Sequence, residues 1–243
     1  AVSQGMLAAM TPSHSLPARD ADVLIVGAGP AGLTLACALG DIGLSVLLLE
    51  QQPEGALVDP PEDGREIALT HRARRVMEQL GLWRHLPADE IAPLREARVV
   101  DGDAPTVLRF ESSGVDGSAL GWLVPNHLIR RAAWAAAAER QGVRCVCDAR
   151  VTALHPTADQ TGVTLSDGRR LNALLVVAAD SRFSQMRRLA GIGASMHDFG
   201  RSVVVGRVAH EQDNGGVAWE CFRYGNTLAL LPLNKGQSSA VVT

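Results

Sequence analysis

Apolar residues gather in short runs along the chain, and the first two runs frame a helical segment. The run Asp22–Gly27 is apolar and branched, which predicts a strand buried on both faces. Residues 30–43 predict a helix, because a proline stands in its first turn and small residues let it approach a sheet. The next apolar run, Leu44–Glu50, predicts a second strand. We therefore expect one βαβ unit at the start of the fold.

Beyond Glu50 the pattern alternates helical segments with short strands. In chain order we predict a loop at 51–66, a helix at Thr70–Leu80, two strands within 95–111, a helix at about His127–Gln141, a strand at Val143–Cys147, a β-meander over 150–173, a buried strand at Leu174–Ala179, a short helix at Ser184–Ala190 and mostly strand from about 198 onward. A nicotinamide dehydrogenase would repeat βαβα with few interruptions. The inserted strands favour a two-domain flavoprotein instead.

The expected fold class is α/β, with a Rossmann-like dinucleotide-binding domain that carries a β-meander, and with part of a second, β-sheet domain. We assign 21–92 and 126–195 to the cofactor-binding domain. Residues 93–125 and 196–243 then form a partial substrate-binding sheet whose C-terminal remainder is missing. Residues 1–20 are rich in Ser, Pro and Ala, which predicts a flexible tail.

Composition and charge narrow the functional classes. The formal net charge is −3, the arginines are scattered and aromatic residues make up 4% of the chain, so we expect no nucleic-acid partner. The four cysteines have no framework spacing, which favours a reducing cytoplasm. The histidines and cysteines form no ligand pattern, so we predict no metal site. No apolar stretch is long enough to span a bilayer.

The sequence GAGPAG follows the first predicted strand and opens the first predicted helix. Gly27 permits a tight turn, Gly29 lets the backbone touch a pyrophosphate, and Gly32 lets the helix pack on the strand. The free N–H groups at the helix start, around Pro30 and Ala31, favour a phosphate there. The alternative is a tight turn without a ligand.

Glu50 ends the second predicted strand, where a carboxylate accepts hydrogen bonds from both hydroxyls of a ribose. Such a carboxylate would repel a 2′-phosphate, so NADP is disfavoured at this site. We include the neighbouring Gln51 in the predicted site. The glycine-rich turn and Glu50 together predict that a dinucleotide binds here.

Four more residues are candidates on weaker grounds. Asp180 follows a predicted strand at the sheet edge where ligands bind, and the alternative is that it caps the next helix. Arg65 follows an acidic loop and would lie near a pyrophosphate, unless it is an ordinary solvated arginine. Asn126 and Arg130 stand at the start of a predicted helix and would touch the nucleotide. The alternative for Asn126 is that it serves only as the N-cap of this helix.

Taken together, these motifs resemble the group A flavin-dependent hydroxylases, and among them the ubiquinone-biosynthesis hydroxylases of the UbiH/UbiF/UbiI/UbiM type. The resemblance runs from about Ala21 to the end of the chain. It is carried by VLIVGAGPAGLTLACAL, GREIALTHRARRVMEQLGLW, VPNHLIRRAAW and LVVAADSRFSQMRR, in that order. It implies an FAD-binding domain of the GR2, p-hydroxybenzoate hydroxylase-like type.

The resemblance also implies what each candidate does. The ADP half of FAD would be held by Gly27, Gly29, Gly32 and Glu50. The phosphates or the flavin side would be met by Arg65, Asn126 and Arg130. Asp180 would occupy the family's Asp-Gly motif, in which Ser181 replaces the glycine here. The family's later Gly-Asp motif, which holds the ribityl chain and the ring, has no counterpart, so we expect this chain to be the N-terminal portion of a longer protein.

The activity implied by the resemblance is hydroxylation of the aromatic ring of a polyprenyl-phenol or quinol intermediate of ubiquinone biosynthesis. It would proceed through a flavin C4a-hydroperoxide, with NAD(P)H as electron donor and O2 as co-substrate. No catalytic side chain is assigned. A complex of ubiquinone-biosynthesis proteins and peripheral contact with the inner membrane are also implied. The alternatives are another FAD monooxygenase or reductase on the same scaffold, and a non-catalytic fragment that acts only as a binding module.

Overall fold

A computed structural model describes residues 19–112, 119–223 and 225–243. Its helices and strands, in chain order, are β1 (Ala21–Val26), α1 (Pro30–Asp41), β2 (Val46–Leu49), α2 (Gly55–Val58), β3 (Glu66–Leu69), α3 (His71–Gln79), β4 (Ala92–Leu94), β5 (Glu96–Asp101), β6 (Leu108–Glu111), β7 (Gly121–Pro125), α4 (Asn126–Ala138), β8 (Val143–Val146), β9 (Val151–Pro156), β10 (Thr161–Leu165), β11 (Arg170–Ala178), α5 (Gln185–Leu189), β12 (Val204–Ala209), β13 (Val217–Phe222), β14 (Leu228–Pro232) and β15 (Gln237–Val242). The predicted tail lies almost wholly outside these ranges.

The first sheet has the strand order β8-β2-β1-β11-β10-β9. Strands β8, β2, β1 and β11 run parallel, and β10 and β9 continue the sheet antiparallel as the predicted meander. Apolar side chains on both faces of β1 and β2 require cover on both sides. Helices α1 and α4 cover one face, where Ile25, Leu48, Leu33 and Ala132 belong to one buried cluster. The predicted βαβ unit and the α/β class are confirmed.

Two further sheets complete the described part of the chain. Strands β3, β7 and β4 form a three-stranded antiparallel sheet, and six strands form a sheet in the order β12-β15-β14-β13-β5-β6. The strands of the segment 196–243 thus pair with β5 and β6 from the middle of the chain, through the parallel pair β13 and β5. The domain boundaries given above stay a prediction.

Two predicted elements differ from the structure. The run Leu174–Ala179 is not a separate buried strand: it continues the third strand of the meander, and Leu174 and Leu175 are 48% and 55% exposed. Apolar character predicted burial, but no described element covers these positions. The segment 51–66 is not wholly a loop, since it contains the short helix α2. Within the described ranges, no helix combines the length and the apolar character needed to cross a membrane.

Candidate functional site

The turn between β1 and α1 has the backbone that its glycines were predicted to allow. Gly27 has φ +105°, and a Cβ there would lie 2.4 Å from the carbonyl oxygen of Ala179. A Cβ on Gly32 would lie 2.1 Å from the carbonyl oxygen of Gly27, so this residue permits the helix to start against the turn. By contrast, a Cβ on Gly29 would meet nothing within 4 Å. The space beside Gly29 is open to a ligand.

Glu50 follows β2 and fastens this turn. Its side chain is buried, and one carboxylate oxygen accepts a hydrogen bond from the Ala28 N–H at 2.7 Å while the other accepts one from the Gln52 N–H at 2.9 Å. An ionised carboxylate has about four acceptor positions. Two therefore remain for the hydroxyls of a ligand. The sequence pattern predicted a role in binding but not this role in holding the turn.

Asp180 follows β11 at the same edge of the sheet. Its carboxylate accepts a hydrogen bond from the Met186 N–H at 3.0 Å, so it anchors the start of α5 as the capping alternative proposed. Burial opposes ionisation, but this bond and a further one from Ser184 outweigh it and hold the pKa of Asp180 below its usual value. The next residue, Ser181, has φ +124°. Ser181 thus adopts a backbone conformation that favours glycine.

Arg65 and Asn126 meet at a third carboxylate, Asp63. Its Oδ2 accepts hydrogen bonds from Asn126 Nδ2 at 2.6 Å and from Arg65 Nε at 3.0 Å. Burial alone would raise the pKa of Asp63, but the hydrogen bonds from Arg65 and Asn126 outweigh it and lower this pKa to about 2. The N-cap alternative for Asn126 is wrong: the residue lies inside α4, Pro125 precedes the helix as its cap, and the amide is bound to Asp63.

One cleft of about 690 Å³ brings the predicted residues together. Every predicted site residue except Gly32 lines it; these are Gly27, Gly29, Pro30, Ala31, Glu50, Gln51, Arg65, Asn126, Arg130 and Asp180. Gly32 lies behind the turn, where it packs against Gly27. The cleft is therefore built from the carboxyl ends of β1, β2 and β11, the start of α1 and the start of α4.

Sequence reasoning missed three charged residues of this site. Arg150 and Arg188 line the cleft, and Asp63 binds two residues that do. Neighbouring Arg187 instead donates to the Ile192 carbonyl oxygen. No local pattern marks Arg150 or Asp63, because their positions depend on segments far away in sequence. Arg130, Arg150 and Arg188 make no ion pair or side-chain hydrogen bond with any residue in the described ranges, so these cations remain for an anionic ligand.

The model of the FAD binding domain family matches residues 20–243. The chain belongs to this FAD-binding family. It is 45% identical over 226 residues to the ubiquinone hydroxylase UbiM of Neisseria meningitidis, which covers 91% of this chain and 49% of UbiM. It is 37% identical over 245 residues to the ubiquinone hydroxylase UbiL of Rhodospirillum rubrum, over 99% of this chain and 57% of UbiL. The chain thus spans about half the length of these relatives.

Among solved structures, the fold matches PqsL, described as a probable FAD-dependent monooxygenase from Pseudomonas aeruginosa. The TM-score is 0.75 and the identity 25%, over 91% of this chain and 60% of PqsL.

The cleft of this FAD-binding chain fits its cofactor. Open space at Gly29 lies beside the start of α1, where the first N–H groups of a helix have no partner within it and attract a diphosphate. Three arginines that have no ion-pair partner among the described residues add positive charge to the same cleft. Glu50 offers acceptors of the kind that a ribose requires. Acceptors of this kind match the hydroxyls of FAD, and cations of this kind match its phosphates.

Proposed function

We propose that the protein to which this chain belongs is an FAD-dependent monooxygenase that hydroxylates an aromatic ring of a ubiquinone precursor. The observation that carries the proposal is the 45% identity to a ubiquinone hydroxylase, which extends through the segments that build the cleft. A second relative of the same printed activity matches almost the whole chain.

The bound FAD would supply the redox chemistry that activates oxygen, which amino-acid side chains do not provide. The residues of this chain bind and orient the cofactor. Gly29 leaves room for the diphosphate, Arg130 and Arg150 offset its charge, and Glu50 accepts hydrogen bonds from the adenosine ribose. The buried β1 and β2 hold these groups in place beneath the cleft, so the ligand meets a preformed site.

The proposal extends to the electron donor, the substrates and the location of the protein in the cell. We infer NAD(P)H as the electron donor, O2 as co-substrate and a polyprenyl-phenol as the ring that is hydroxylated. A polyprenyl chain partitions into lipid, so we infer a cytoplasmic protein that works at the surface of the inner membrane, beside other enzymes of ubiquinone biosynthesis. The names of the relatives support the ring chemistry, whereas the electron donor and the complex rest on the family resemblance, and membrane contact rests on the chemistry of the substrate.

The first test is FAD binding by the purified protein. Titration with FAD should give a saturable complex, and Glu50→Arg should weaken it by at least about tenfold, because the ribose loses its acceptors and the turn loses its fastening. Glu54→Arg is the matched control, since it makes the same change at an exposed position that does not line the cleft. Equal FAD affinity in Glu50→Arg and the parent protein would refute the assigned role of Glu50.

The second test follows the oxygen atom. The holoprotein is supplied with a prenylated phenol, NADH or NADPH, and isotopically labelled dioxygen, and the product is analysed by mass spectrometry. Incorporation of one labelled atom into the ring supports a monooxygenase. Oxidation of the donor without label in the ring would favour a reductase or oxidase on the same scaffold, and FAD binding without donor oxidation would favour a binding module.

A further inference from the structure

The Asn126 side chain has one donor end and one acceptor end, and Asp63 decides which of them faces the loop before β3. An ionised carboxylate accepts hydrogen bonds and donates none. The amide atom 2.6 Å from Asp63 is therefore the nitrogen Nδ2, and the oxygen Oδ1 points away from Asp63. This orientation follows from the chemistry of the partner.

The amide oxygen of Asn126 remains available to a ligand. It accepts no hydrogen bond from any residue of the described ranges, and it is not sealed from solvent. The solvent space that Asn126 lines is the cofactor cleft. Asp63 thus makes this wall of the cleft a hydrogen-bond acceptor.

Asp63 also removes positive charge from the same wall. Its ion pair with Arg65 carries no net charge, whereas Arg130, Arg150 and Arg188 remain unpaired among the described residues. Phosphate oxygens are acceptors, so they are attracted to the unpaired arginines and are not matched to the oxygen of Asn126. The diphosphate and Asn126 therefore meet different parts of the ligand.

FAD offers donors at both ends of its diphosphate. On the adenosine side these are the exocyclic amine of adenine and the ribose hydroxyls, and Glu50 supplies acceptors for the hydroxyls beside the glycine-rich turn. On the flavin side they are the ribityl hydroxyls and the ring N–H. Since Glu50 is placed for the first set, the acceptor at Asn126 matches the second.

We propose that Asp63 is a positioning residue of the cofactor site: it holds the Asn126 amide so that Oδ1 accepts a hydrogen bond from a hydroxyl or N–H group of the flavin half of FAD. The inference deepens the FAD-binding part of the proposed function and does not depend on ring hydroxylation.

The test compares FAD with ADP, which lacks the flavin half. Asp63→Asn keeps the size of the side chain but leaves it a single acceptor oxygen, so the Asn126 amide is no longer fixed. Calorimetric titration of the cofactor-free protein should show FAD binding weakened by about tenfold relative to ADP binding, because the charge freed on Arg65 acts on the diphosphate of both ligands alike. A purely structural role would weaken both ligands in parallel.

Two further variants sharpen the comparison. Asp59→Asn removes the same charge from an exposed position of the same segment, outside the cleft, and should change neither affinity. The exchange Asp63→Asn with Asn126→Asp restores an amide–carboxylate pair and again turns an acceptor oxygen toward the cleft. It should recover most of the lost FAD affinity.

The outcomes separate this inference from the proposed activity. An unchanged ratio of FAD to ADP affinity in Asp63→Asn, or no recovery of that ratio in the exchanged pair, would overturn it. A parent protein that binds FAD but incorporates no oxygen would overturn ring hydroxylation and leave the role of Asp63 standing.

Discussion

Gly27 and Gly29 stand two residues apart in the turn before α1, yet their missing side chains leave different spaces. A Cβ on Gly27 would press on the Ala179 carbonyl oxygen at 2.4 Å and would sit on a backbone with φ +105°. We expect Gly27→Ala to lower the unfolding free energy by roughly 2–4 kcal/mol, because strain and overlap add. Urea unfolding of the cofactor-free protein measures this.

Gly29→Ala is the matched substitution, and we expect it to affect FAD binding rather than stability. Its methyl group would meet no atom of the described residues within 4 Å, so stability should change by less than about 0.5 kcal/mol. FAD affinity should nevertheless fall by at least about tenfold, since the methyl occupies space assigned to the diphosphate. Wild-type affinity in Gly29→Ala would show that the diphosphate lies elsewhere.

Ser181 carries strain that a glycine would relieve. At φ +124° a side chain is disfavoured, and a residue in such a region costs on the order of 1–3 kcal/mol. Relief of this strain stabilises the fold, but part of that stabilisation is lost because glycine also gives the unfolded chain more conformational freedom. We expect Ser181→Gly to raise the unfolding free energy by about 1 kcal/mol, read as a higher midpoint in thermal unfolding.

The control for Ser181 is Ser184, three residues on. Ser184 caps α5, because its hydroxyl accepts a hydrogen bond from the Arg187 N–H at 2.9 Å. Ser184→Ala should therefore lower stability by about 1 kcal/mol. If Ser181→Gly also lowers stability, the serine backbone is not strained.

At the scale of elements, the sequence predicted best where neighbours along the chain decide the structure. The unit β1–turn–α1–β2 follows from two apolar runs, a glycine-rich turn and one proline, all within 30 residues of one another. The position of Asp63 against α4 depends on a contact across 63 residues, which no local pattern contains. The exposed Leu174 and Leu175 show the same limit, because apolar character does not reveal whether another element covers a strand.

The link between the segment before β3 and α4 depends on pH through Asp63. The pKa of this carboxyl is about 2 in the fold, below its ordinary 3.8. The unfolded chain therefore binds a proton at a pH where the fold does not. The stabilisation is complete above about pH 4 and is lost as the pH falls toward about 2.

Acid unfolding isolates this contribution. Other carboxyls with lowered pKa values also respond to acid, so the quantity to compare is the difference between the parent protein and Asp63→Asn. We expect urea unfolding to show the parent more stable near pH 6, with the gap shrinking between about pH 4 and pH 2. A gap that stays constant over this interval would contradict the assigned ion pair.

At the scale of the whole molecule, polar and charged side chains join the sheet β12-β15-β14-β13-β5-β6 to the rest of the fold. Asn234 donates to the carbonyl oxygens of Asp89 and Ile91, and Lys235 pairs with Glu90 at 2.6 Å. On the neighbouring strand β12, Arg207 donates twice to one carboxylate oxygen of Glu66 in β3. Since Arg65 belongs to the cofactor cleft and Glu66 to this junction, the start of β3 connects the two regions.

Among these contacts, the pair of Glu66 and Arg207 involves a buried charge. The Glu66 side chain is 0% exposed, and its second oxygen is buried and has no hydrogen-bond partner within the part of the chain that the structure describes. Arg207→Ala would leave that carboxylate without its cation, and removing one partner of a buried pair costs about 3–5 kcal/mol. Arg207 is itself partly exposed, so we expect a loss near the lower end, measured by urea unfolding.

Two comparisons show whether burial of Glu66 causes that loss. Replacing both partners, Glu66→Met with Arg207→Met, removes the charges together and should cost less than Arg207→Ala alone. Arg169→Ala breaks an exposed pair with Asp167 and should change stability by no more than about 1 kcal/mol. If Arg207→Ala lowers stability as little as Arg169→Ala does, water reaches the carboxylate of Glu66 in solution. The contact between β3 and β12 is then less tightly packed than the structure shows.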